Sequence, residues 1–143
     1  MLDLEAAISE RLATELAGQG IHLYTTDTLA GVEERSQQTP AVHIMFEGYS
    51  VEDTLRSDAR AARVRQEWAI VIATRNAANT DTGQAARQDA GRIALAVAKA
   101  LMGLKPPQAA GPLTLTGSAS TTHNAGFVYL PLRFSIATVW SNL

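Results

Sequence analysis

The side chains that could do chemistry are few and scattered. His22, His43 and His123 stand far apart, with no His-Glu-x-x-His pair and no carboxylate at metal-ligand spacing, so each reads as a strand or loop residue rather than a ligand. Ser118, Ser120, Thr121 and Thr122 precede His123, which sets hydroxyls beside a base. Members of a nucleophilic triad converge through the fold, however, so neighbours in a polar turn carry little weight. The chain has neither a Gly-x-Ser-x-Gly elbow nor a Gly-x-x-x-x-Gly-Lys phosphate loop. Glu33-Glu34 and Glu52-Asp53 are adjacent acids in stretches that read as loops, where solvation is the ordinary fate of a carboxylate. Arg56, Arg60, Arg63 and Arg65 form the densest run of one chemistry. Arg56 and Arg60 have the spacing of one helical turn, and Arg63 and Arg65 share a face in a strand. A guanidinium offers forked hydrogen bonds to a carboxylate, so a solvated edge and a docking surface for an acidic partner are the two readings.

The elements that must position these groups follow from periodicity. Leu4, Ile8, Leu12 and Leu16 recur at helical spacing, Asp3 is a potential N-cap, and Gly18 and Gly20 stop the helix. Ile21 to Thr25 reads as a short strand, and residues 26 to 39 as loop with a helical turn around Leu29 to Glu34. After Pro40, Val42, Ile44 and Phe46 alternate on one face of a strand that Gly48 closes. Tyr49 to Ala59 is then a charged linker, long for a hairpin turn. A strand from Ala61 to Thr74 contains the wholly apolar run Trp68 to Ala73, which demands cover on both faces, and Asn76 to Asn79 turn out of it. Thr80 or Asp81 can cap the helix that follows. In it Ala86, Ala90, Ile93, Ala94, Val97 and Leu101 make one stripe before Gly103 and Pro106-Pro107. Leu113 and Leu115 alternate with threonines, and Asn124 to Gly126 turn into a last strand from Phe127 to Trp140, whose Pro131 belongs at an edge or bulge. The sum is an α+β protein: a mainly antiparallel sheet of four to five strands with two helices packed on one face, a single domain over residues 1–143. Two helices cover one face, so the other is expected to be covered by another protomer.

The balance of residues narrows the class. A hydrophobic fraction of 46% and a charged fraction of 18% belong to a folded protein. The absence of cysteine excludes disulfides, thiol nucleophiles and cysteine metal sites. The acidic N-terminal stretch lacks the bases of a signal peptide, and no apolar run approaches the roughly 18 residues a membrane helix needs, so a soluble, cytoplasmic protein is expected. Net charge is −2, but residues 1 to 58 hold eleven acids and three bases, and residues 59 to 143 hold three acids and nine bases. Either the fold disperses these charges, or an acidic and a basic face favour head-to-tail association.

Taken in order, these segments resemble the phage tail-terminator family, also called tail-completion or minor tail protein U-like, in its Mu-like prophage branch. The likeness lies in the amphipathic first helix, TPAVHIMFEG, QEWAIVIATRNA, the alanine-rich helix ending ALMGLKPP, and the final GFVYLPLRFSIATVW. It implies a virion structural protein, not an enzyme, with no cofactor. Its copies form a ring, usually a hexamer, on the head-proximal end of the tail tube, stop polymerisation and provide the joining surface for the head. The implied partners are itself, the tail tube protein, a head connector or neck protein, and DNA that passes through without sequence-specific contact; no membrane is involved. The implied location is the virion tail, and the host cytoplasm during assembly. On the residues themselves, Glu52, Asp53, Arg56, Arg60, Arg63, Arg65 and Arg75 are the expected protein interface. The alternatives are another neck component (a head-tail connector or head-closure protein), and a small ligand-binding domain, enzyme or basic nucleic-acid module.

Overall fold

The computed structural model describes residues 2–25, 38–75, 84–117, 120–124 and 126–142. Helix α1 spans Leu2–Glu15, and Leu4, Ile8, Leu12 and Leu16 form its buried stripe. Helix α2 spans Gln84–Leu101 and buries Ala86, Ala90, Ile93, Val97 and Leu101. The strands are β1 (His22–Thr25), β2 (Ala41–Thr54), β3 (Ala61–Arg75), β4 (Thr114–Gly117), β5 (Thr122–Asn124) and β6 (Phe127–Ser141). They join one sheet in the order β1-β2-β3-β6-β4, with β5 also paired to β6. Every pairing is antiparallel except β1 with β2, which run parallel. Both helices pack on one face, as the periodicity predicts.

Side-chain alternation sorts the faces. Val42, Ile44, Ile70, Ile72 and Phe134 are buried on the helix side. Thr74 is buried on that side too, and its hydroxyl donates to the Ala86 carbonyl at 2.7 Å, so its burial leaves no unpaired donor. The opposite face answers the demand of the apolar run differently from the expectation. Its positions on β3 are Ala69, Val71 and Ala73, and the two alanines are 3% and 0% exposed within this one chain. Methyl groups are short enough for larger neighbours to close over them. Arg133 on β6 and Glu47 on β2, for example, make an ion pair at 3.5 Å from strands that flank β3. A second protomer is therefore not needed to bury these alanines.

The expected linker from Tyr49 to Ala59 is mostly strand. Gly48, read as a strand stop, sits at φ 130° beside a register shift, so β2 bulges there and continues to Thr54. A second shift falls between Val51 and Asp53. The connection itself is only residues 55 to 60. Pro131 lies mid-strand on β6, opposite Val71. On the other edge of β6, β5 reaches Tyr129 and β4 begins at Arg133, so the residue lacking an N–H falls in the gap between them.

Length decides what the helices can shelter. A strand of 15 residues such as β3 runs about 50 Å, whereas the 18 residues of α2 run about 27 Å. The far ends of β2, β3 and β6 therefore project past the helical layer as a three-stranded arm. The predicted loop from 26 to 39, up to residue 37, the turn from Asn76 to Asn79 and the cap at Thr80 or Asp81 lie outside the described residues.

Candidate protein-interaction site

The arm gathers most of the predicted residues. Arg63 and Arg65 alternate on the face away from the helices, as their spacing requires, and both reach one carboxylate. Glu52 pairs with Arg63 at 3.7 Å and with Arg65 in closer contact, while Arg65 Nη1 also donates to Ser135 Oγ at 3.1 Å. Asp53 stands opposite Arg63 in the β2–β3 register. These side chains are largely exposed, so each pair contributes only about 0–1 kcal/mol.

The tip holds the other two arginines, in a turn rather than on a helix. Asp58 accepts from Arg56 Nε at 3.1 Å and Nη2 at 3.0 Å, and from the Arg60 backbone N–H at 3.2 Å. The forked hydrogen bond from Arg56, reinforced by the Arg60 amide, holds the Asp58 carboxyl below its ordinary range and raises Arg56 in return. Arg60 Nε donates to Asn142 Oδ1 at 3.0 Å and ties the turn to the end of β6. Arg75 is not part of this group. It closes β3 at the opposite end, about 40 Å from Arg63 by strand rise, with its guanidinium 5.1 Å from the centre of the Phe127 ring.

The helix-side face of the arm is apolar and partly bare. Tyr49, Val51 and Trp140 are 54%, 58% and 38% exposed. Sequence reading misses this patch because Tyr49 and Val51 lie in a stretch with the composition of a loop. It also misses Glu47, Ser135 and Asn142 as partners of the arginines. Glu47 and Ser135 stand far from their partners in sequence, and strand pairing alone brings them across the sheet.

The carboxylates and histidines do not converge. Among the described residues no group of three or more His, Asp or Glu could hold a metal ion. His43 is buried against Tyr24, with ring centroids 5.4 Å apart, and its Nε2 has no hydrogen-bond partner. Desolvation lowers its pKa, so the imidazole is held neutral. His22 lies in β1 and His123 in β5. Ser118 and the Glu33-Glu34 pair lie outside the described residues. No described helix is long and apolar enough to cross a membrane.

Fold and site together define a small α+β protein whose charged groups are displayed on a projecting sheet rather than gathered in a cleft. Residues 1–141 match the family model described as phage tail terminator protein, and the chain belongs to that family. It is a phage tail structural protein. A comparison with curated proteins finds no match. Among solved structures, the fold is similar to a chain of the virion of native gene transfer agent (GTA) particle, with a TM-score of 0.58 and 16% identity over 95% of this chain and 94% of that one.

Proposed function

We propose that copies of this protein form a ring, six in number, on the head-proximal end of the phage tail tube, end tube growth there and offer the head its joining surface. Family membership over residues 1–141 carries the reading. The likeness to a virion chain along almost the whole length supports it. A growing tube adds subunits because each new end repeats the same interface. A terminator must match that end on one face and lack it on the other. Its partners are then its own copies, the tube protein and a head connector or neck protein, and DNA passes through the ring without sequence-specific contact. The protein belongs to the virion tail, and it is assembled in the host cytoplasm.

The arm is the surface we assign to docking. Glu52, Asp53, Arg56, Arg60, Arg63 and Arg65 sit where the helices give no cover, and exposed ion pairs exchange partners at little cost. One carboxylate serves two guanidiniums at Glu52, which leaves hydrogen-bonding capacity for an acidic partner. Arg75 belongs to a separate end of the sheet and would meet a different neighbour.

Electron microscopy of purified tail tubes mixed with the protein tests this. A cap at one end, with growth from that end stopped, is expected. The double variant Arg63→Glu/Arg65→Glu is expected to keep its fold, with a stability change of about 0.5 kcal/mol, and to lose tube attachment. Binding to portal-filled heads but not to tubes would overturn the capping role. Full capping by the double variant would overturn the arginine assignment.

A further inference from the structure

The sheet has two open edges. On one, β1 pairs only with Ala41–Ile44, so from Met45 to Thr54 the outer edge of β2 has no partner strand among the described residues. On the other, β4 and β5 lie along β6; Gly103 and Leu104 bond to Leu113 just before β4, and beyond Thr114–Gly117 no described strand lies. Free edges recruit further strands, and soluble proteins guard them with charge, above all lysine. This second edge has no such guard. From Pro106 to Leu132 the sequence contains no Asp, Glu, Lys or Arg, and both β4 and β5 fall inside that stretch.

The two edges also match in height, direction and chemistry. One cross-sheet row runs Phe46, Trp68, Phe134, Leu115, each paired with the next. It is apolar from end to end, and it stops at half-buried Phe46 on one edge and at Leu115, 37% exposed, on the other. β2 and β6 run the same way and β4 runs against them. A β4 edge set beside the β2 edge of a like-oriented copy therefore forms an antiparallel pair. The edges are different surfaces, so the contact is heterologous and closes by rotation into a ring. A two-fold β4–β4 contact would leave the β2 edge unmatched.

We infer that Thr114–Gly117 of one copy pairs antiparallel with Met45–Gly48 of the next, setting Leu115 against Phe46 and carrying the sheet unbroken through the interface. The inference rests on the ring reading above and names the surface that builds the ring. The bulges beside Gly48 and Gly117 keep the matched segment short, which limits uncontrolled edge pairing.

Hydrogen exchange read by mass spectrometry, on free protein and on rings assembled at tube ends, tests it. Amides of Thr114–Gly117 and Met45–Gly48 are expected to slow together by tenfold or more on assembly. Leu115→Lys is expected to raise the concentration needed for assembly at least tenfold. Leu95→Lys, at a more exposed position on α2, is expected to leave it within twofold. Rings whose two edges exchange as in the monomer, or a dimer protected at β4 alone, would overturn the edge pairing and leave capping standing. A protein that stays monomeric with and without tubes would overturn both.

Discussion

The rings of Tyr49 and Trp140 stand 4.9 Å apart and are tilted by 48°, although β2 and β6 never pair with one another. Val64, on the strand between them and on the same face, is only 1% exposed. The contact thus covers β3 in a region the helices do not reach. Trp140→Ala is expected to uncover Val64 and destabilise the fold by about 2 kcal/mol, read from urea unfolding. The protein has two tryptophans, and Trp68 is buried, so fluorescence quenching by acrylamide should act on Trp140 and vanish in the variant.

Beneath the helices, the Trp68 indole N–H donates to Gln66 Oε1 at 3.2 Å, and both residues are buried. Gln66→Leu leaves the indole donor unpaired and is expected to cost about 1–3 kcal/mol. Combining it with Trp68→Phe should cost less than the sum of the single changes, by about 1 kcal/mol, because the second change removes the stranded donor. Chemical denaturation of the four proteins measures that coupling.

His43 makes stability depend on pH. Its pKa in the folded protein is lowered by desolvation, so its contribution is complete above the unfolded value near 6.5 and is lost as pH falls below it, where only the unfolded chain takes up the proton. The slope is bounded at about 1.4 kcal/mol per pH unit for one group. Thermal melts between pH 7.5 and 5 should show a larger fall for the native sequence than for His43→Phe, which keeps a ring against Tyr24.

Arg11 joins the two helices. Its Nε donates to the Ala100 carbonyl at 3.0 Å, in the last turn of α2, where carbonyls lack partners inside the helix and favour a cation. Arg11→Met keeps the aliphatic stem and is expected to cost about 1 kcal/mol. Faster amide exchange confined to the end of α2 would identify the cause.

Both helices were legible because burial follows their 3.6-residue period: every member of Leu4, Ile8, Leu12 and Leu16 is in the core. The central strand and β6 were legible as long apolar runs. The arm was not, since Tyr49 to Thr54 has a strand's backbone with a loop's composition. That composition fits a segment solvated on one face and at its edge, and the Gly48 bulge imitates a stop. The parallel pairing of β1 was hidden as well, because four residues carry no directional signal. Of the site, the shared face of Arg63 and Arg65 could be read from alternation. Their common carboxylate could not, because Glu52 arrives through strand register.

β3 is paired with β6 over its whole length and with β2 from Ala62 to Ala73, so the arm continues the core without a break in β3. Ladder bonds lie across the strand axis. A load applied at the tip along that axis would strain all of them at once, in shear, instead of unzipping them singly. The arm is in this sense a rigid strut, able to pass a mechanical load straight into the protein's centre.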